Sequence, residues 1–318
     1  MLQISVTAYL ILAVSSINAE GSDDEWEKYK IMFQKRYPNP QMNSLRKNLW
    51  LSKTNAIKAH NSKANNGEHS YIMRENIFSD YTEEEKEKVK GYIHNSSLIS
   101  RSQTVKCVNT PKIPKTTDLR VDPCLTPVGN TGLCGGSWAY VAASSLEYYS
   151  CKMNLSETIP LSRQQIIDCD ASNYGCEGGS YVASWQWIIN NGGLCNQMDY
   201  LNEKNCSVDC LKPVIASYKR LFPTSGMIKM ALLRGPVSAA MHGSENFLFY
   251  SSGIYTDSKC DKTPNVAVNI IGYGKQNNTR YWLIQNFWGE SWGEKGYAKV
   301  LQKSSMCRLE QYAFIPVL

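Results

Sequence analysis

Histidine is scarce in this chain, with four residues in 318. Three of them, His60, His69 and His94, precede residue 107, so His242 is the only imidazole left to the remainder. Cysteine is absent from residues 1–106, and all eleven cysteines follow. No Cys-x2-Cys pair meets a second such pair or a histidine pair, so no metal and no cofactor is expected. Basic runs are missing as well. The formal net charge of +6 is spread along the chain, which argues against a nucleic-acid-binding face. Beyond residue 19 no apolar run reaches membrane-spanning length, so no membrane partner is expected.

What is present points to an exported protein. Residues 1–19 are apolar and small, centred on Leu10-Ile11-Leu12-Ala13-Val14 and ending at Ala19. That is the pattern of a signal peptide and too short for a bilayer span. Eleven cysteines behind it imply an oxidising compartment, several disulfides and one cysteine left over. Four Asn-x-Ser/Thr sequons, at Asn95, Asn154, Asn205 and Asn277, are candidate glycosylation sites.

The rest divides in two. In residues 24–92, Trp26, Tyr29 and Phe33 fall at helical spacing, as do Leu49, Trp50 and Ile57, which predicts two amphipathic helices. The polar stretch from His94 to Lys106 reads as an exposed linker open to proteolysis. A segment without cysteines followed by a cysteine-rich domain suggests a propeptide over 20–106 and a mature domain over 107–318.

The segment Cys134-Gly135-Gly136-Ser137-Trp138 resembles the nucleophile motif C-G-[SA]-C-[WY] of papain-like cysteine proteases, with serine in the place of the nucleophile. Arg46, Leu49, Trp50, Ile57 and Asn61 match or nearly match the interrupted helical motif of that family's inhibitory prosegment, with Met42 and Lys53 departing from it. Arg74-Glu75-Asn76-Ile77-Phe78-Ser79-Asp80 is similar to its second motif, G-x-N-x-F-x-D, without the glycine. The Asp118-Leu119-Arg120 start, Ala267-Val268-Asn269-Ile270 and the Gln311-Tyr312-Ala313-Phe314 ending are similar to dust-mite cysteine-protease allergens and to the inactivated paralogues of scabies mites. The resemblance runs from about residue 24 to the C-terminus. It implies a papain-like α+β domain, with a helical lobe carrying Ser137 and an antiparallel β lobe carrying Val266 and Asn286.

It also implies a damaged site. A cysteine protease needs a thiolate, a histidine and a group that orients that histidine. Ser137 stands at the nucleophile position, and a hydroxyl needs a base where a thiol at a helix N-terminus needs less help. In Asn265-Val266-Ala267-Val268, Val266 takes the histidine's place and has no lone pair for a proton. Asn286, in Gln285-Asn286-Phe287-Trp288-Gly289, matches the orienting asparagine, with Trp288 as its shield. Thr131 replaces the oxyanion-hole glutamine. Losing one oxyanion donor costs roughly two to three orders of magnitude in kcat, and losing the nucleophile or its base costs roughly six. Rescue by His242 would need it near the cleft; strand alternation puts it on the same side as Ala240, which by motif faces the specificity pocket.

The cleft itself is recognisable. Cys176-Glu177-Gly178-Gly179 resembles the strip whose backbone pairs with an extended peptide. The resemblance implies the disulfides Cys134–Cys176, Cys260–Cys307 and, as in cathepsin B-like members, Cys124–Cys151. Cys169 is expected to pair with Cys210 or Cys206, Cys210 being favoured; Cys107, Cys195 and the remaining member stay unassigned. The expectation is a secreted, catalytically inactive homologue that binds peptides, protease inhibitors or host proteins as a decoy. Its rivals are a weak serine-based hydrolase using Ser137 and a noncatalytic antigen or interaction scaffold.

Overall fold

The computed structural model describes residues 23–105, 112–154, 158–200, 206–207, 210, 213–303 and 306–318. The expected signal peptide, Cys107, Asn205 and the side chain of Asn154 lie outside them.

The first segment forms the two expected helices, α1 (23–32) and α2 (Pro40–Asn65). Asn39 caps α2 by accepting from the Met42 amide, and Pro40 occupies the first turn, where its missing N–H costs nothing. Trp26, Tyr29 and Trp50 interlock at ring separations of 5.4–5.8 Å and form a small core of their own. The motif residues hold the turn that follows. Asn61 exchanges two hydrogen bonds of 2.8 Å with Met73 in β1 (Tyr71–Met73), and Trp50 donates to Glu75. Arg46 grips Glu85, and buried Asp80 accepts from Tyr29, Tyr37 and Lys35. Helix α3 (Glu83–Lys90) starts on a Thr82/Glu85 capping box and stops at Gly91, which is left-handed at φ 65°.

The expected free linker is not one. Within it, α4 (Ser96–Arg101) is capped by the Asn95 side chain and buries Ile99, and β2 (Thr104–Val105) pairs with a strand of the following domain. An apolar pair, Leu98-Ile99, sits inside the polar run, and it anchors the segment. Asn95 is therefore both a sequon and a cap.

The helical lobe of the domain follows β3 (Thr117–Asp118) and consists of α5 (Ser137–Asn154), α6 (Arg163–Cys169) and α7 (Tyr181–Asn190). Its core joins Trp138, Val141, Ala142 and Leu146 of α5 to Tyr181, Trp185 and Ile188 of α7. The second lobe is β4 (Ser217–Leu221), α8 (Ser225–Ala231), β5 (Val237–Met241), α9 (Glu245–Leu248), β6 (Tyr250–Tyr255), β7 (Val266–Gln276), β8 (Thr279–Gln285), β9 (Tyr297–Leu301) and β10 (Ala313–Val317). Among the described residues the sheet runs β1-β6-β9-β8-β7-β5-β10-β4-β2, with β3 on β7. Most pairings are antiparallel; β6–β9 and β2–β4 are parallel. Prosegment strands β1 and β2 thus close both ends of the sheet, where bare edges would otherwise invite further pairing. The β7–β8 hairpin turns on Asn277-Asn278, both at positive φ, a conformation asparagine tolerates; Asn277 is exposed there.

Five disulfides are formed among the described residues. Cys124–Cys151, Cys134–Cys176 and Cys260–Cys307 are as expected. The favoured Cys169–Cys210 is not: Cys169 pairs with Cys206, and Cys195 pairs with Cys210, at Cα separations of 5.6 and 5.7 Å. The fold brings Cys206 rather than Cys210 to the end of α6, and Cys210 to the buried Cys195. Among the described residues no helix is long and apolar enough to cross a membrane, and no His/Cys/Asp/Glu group has metal-site geometry.

Candidate active site

The site lies where the two lobes meet. On the helical side Gly135-Gly136 bring the chain tightly into α5, which begins at Ser137. The Gly135 amide donates to the Cys176 carbonyl at 2.9 Å, and a side chain at Gly135 would lie 2.5 Å from the Lys88 carbonyl oxygen. Ser137 is completely buried. On the sheet side Val266 opens β7 opposite Met241 and is also completely buried.

Between them runs the prosegment. Gly91 forms an antiparallel bridge with Val266, and the Tyr92 amide donates to the Asn265 carbonyl at 3.0 Å. Toward the helical lobe the Ile93 amide donates to Gly179, and the Gly179 amide returns to Gly91, both at 2.9 Å. Gly178 and Gly179 therefore bind an extended backbone, as expected of that strip, and the backbone is the chain's own. The Ser137 hydroxyl donates to the Lys90 carbonyl at 3.1 Å. Ala240 pairs with Ala267 and shares an apolar cluster with Tyr92 and Tyr181. Lys90-Gly91-Tyr92 carries no motif that marks it in the sequence. The one available signal was a glycine ending a lysine-rich helix.

Three of the expected site residues are poorly partnered. Asn286 is fully buried, its amide bonded to Gly296, yet neither side-chain Oδ1 nor Nδ2 has a partner. The Nε1 of Trp288 and the Oγ1 of Thr131 are buried and unpartnered too. Thr131 is tied to the same segment through its amide, which donates to Phe287 at 2.9 Å. Trp288 packs edge-on against Trp292 and against Phe78 of the prosegment. His242 follows the last residue of β5, and its Nδ1 lies 2.9 Å from the Thr263 carbonyl. Ala240 points into the core, while His242, past the strand's end, is half-exposed.

The prosegment is clamped on by charge as well. Lys53, standing where the family motif has asparagine, and Lys86 both bind Glu245 of the domain, Lys86 at 2.6 Å. Burial pushes the Glu245 carboxyl up, but the two ammonium groups outweigh it and hold it below the usual range.

A two-lobed fold with a serine-headed helix facing a β lobe, and a helical prosegment threaded between, defines a protease-zymogen architecture. Residues 113–317 match the model of the papain family cysteine proteases, and residues 26–85 match the cathepsin propeptide inhibitor domain. The chain belongs to the papain family. It is 34% identical to mouse (Mus musculus) cathepsin K over 312 residues, covering 93% of this chain and 94% of that one. The structure of the digestive procathepsin L2 proteinase of Tenebrio molitor superposes with a TM-score of 0.87 at 30% identity, covering 93% of this chain and all of that one. A mite-allergen structure described for Blo t 1 and Der p 1 shares the fold, with a TM-score of 0.80 at 23% identity over 92% and 98% of the two chains.

Proposed function

We propose that this chain is a secreted, catalytically inactive member of the papain family that holds peptide in its cleft without cutting it. The observation that carries the reading is the hydrogen bonding of Ser137. Its hydroxyl donates to a main-chain carbonyl, and the β-lobe residue bridged to the neighbouring Gly91 is valine. A serine nucleophile needs a base to take its proton, and His242 is bonded to the Thr263 carbonyl instead. The unpartnered Asn286 carboxamide supports the same reading, since an orienting asparagine without its histidine keeps an unmet hydrogen-bonding capacity. Thr131, with a shorter side chain than glutamine, weakens an oxyanion hole further. The ligands this reading names are extended peptides, protease inhibitors and host proteins.

The test is hydrolysis. The protein is processed by an added serine peptidase, which is then inhibited, and offered peptide and ester substrates. It should release no more product than Ser137→Ala treated alike. Turnover that disappears in the variant would assign a serine-based hydrolase to Ser137 and end the proposal.

A further inference from the structure

A prosegment leaves only after the chain is cut between it and the domain, and the connection here is folded. Helix α4 turns one face inward. Ile99 is buried in the core of the helical lobe, Leu98 packs against that core, and the Ser102 hydroxyl donates to the Leu98 carbonyl at 2.7 Å. The outer face carries Ser96, Ser97, Ser100 and Arg101, all exposed. Arg101 offers a trypsin-like peptidase its basic residue, and cleavage requires that α4 first unwind.

Asn95 stands at the head of this helix, and the two polar atoms of its side chain have separate duties. Oδ1 accepts from the Leu98 amide at 3.1 Å, which caps the helix, and from the Ser97 hydroxyl at 2.9 Å. Nδ2 makes no hydrogen bond and faces solvent. Nδ2 is the atom that an N-linked sugar occupies, and Asn95-Ser96-Ser97 is a sequon. In that transfer Nδ2 displaces the pyrophosphate group from C1 of a lipid-linked oligosaccharide and gives up one proton. The carbonyl oxygen keeps its lone pairs, so cap and sugar do not compete. Six helical residues span about 9 Å, so a bulky, hydrated glycan at Asn95 overhangs the outer face as far as Arg101.

We infer that Asn95 carries an N-linked glycan and that this glycan keeps the prosegment attached by denying peptidases the α4 segment. The inference rests on the reading of the chain as secreted and inactive. A serine without a proton acceptor cannot make the cut, so another enzyme must, and the sugar governs that enzyme's access.

The test separates the sugar from the cap. The full chain and its Asn95→Asp and Ser97→Ala forms, each in a Ser137→Ala background, are secreted from cultured insect cells. Aspartate keeps the capping oxygen and places a negative charge where a helix N-terminus favours one. Ser97→Ala leaves Asn95 in place. Both changes abolish the sequon. Peptide mass spectrometry should find Asn95 modified in the chain that keeps it. Limited trypsin digestion should cut after Arg101 at least roughly 10-fold faster in both variants than in that chain, with the two variants within about 2-fold of each other. An unmodified Asn95, or a cutting rate indifferent to loss of the sequon, would overturn the inference. Fast cutting in only one variant would trace to that side chain rather than to the sugar, and would overturn it too. Cutting without trypsin by the chain that retains Ser137, absent after Ser137→Ala, would instead contradict the inactive reading and leave the trypsin comparison to judge this one.

Discussion

Ser137 Oγ donates to the carbonyl oxygen of Lys90 at 3.1 Å, across 47 positions of sequence. The serine that stands at the nucleophile position is thus a buried donor to the chain's own prosegment. The contact is one between neutral groups, worth about 1 kcal/mol net. The prosegment is held by the larger set around it: two sheet edges, the Phe78–Trp288 contact and the Lys53–Glu245–Lys86 cluster.

Asn286 provides the first prediction. A fully buried carboxamide with both polar atoms unpartnered forfeits hydration without repayment. Asn286→Leu, of similar size, should leave stability within about 1 kcal/mol of wild type or raise it. Urea unfolding of the two proteins decides this; a loss of several kcal/mol would show that the carboxamide has a structural partner.

Acid should loosen the prosegment in two stages. His60 is buried at the α2–β1 turn, with Nε2 3.1 Å from the Tyr71 carbonyl and its ring stacked on His69 at 4.3 Å. Burial lowers its pKa from 6.5, the Tyr71 carbonyl opposes this, and His69 and Lys63 lower it further. A depressed histidine favours the folded prosegment in its neutral form. That contribution is whole above pH 6.5 and is lost as pH falls through the folded value. Glu245, held below 4.5 mainly against burial by Lys53 and Lys86, adds a second loss below pH 4.5. The urea midpoint should therefore begin to drop as pH falls below 6.5, and His60→Gln should flatten that first decline while sparing the drop below 4.5.

Disulfide mapping by mass spectrometry of the non-reduced protein should return Cys169–Cys206 and Cys195–Cys210. Recovery of a Cys169–Cys210 peptide would contradict the fold around α6 and α7.

The parts of the site that were readable in sequence are contiguous motifs. Ser137, Asn286 and the glycine pair at 178–179 each sit in a run of neighbours whose spacing identifies them. Two features were not readable. Lys90-Gly91-Tyr92 belongs to no motif, and its place depends on docking between lobes that are distant in sequence. The segment before residue 106 reads as free linker because its polar composition hides its apolar anchor, Leu98-Ile99, and a two-residue strand that exists only through its partner β4. Cysteine spacing failed for a similar reason, since loop length does not say which sulfur a fold brings near.

Val266 offers no proton acceptor where the family has its histidine, and a paired assay tests that lack directly. Ser137→Cys and Ser137→Cys/Val266→His, processed identically, are compared on a fluorogenic peptide. The single variant should stay at background and the double variant should hydrolyse the substrate, further improved by Thr131→Gln. Equal turnover by the single variant would mean that a base other than the one replaced by Val266 already serves this site.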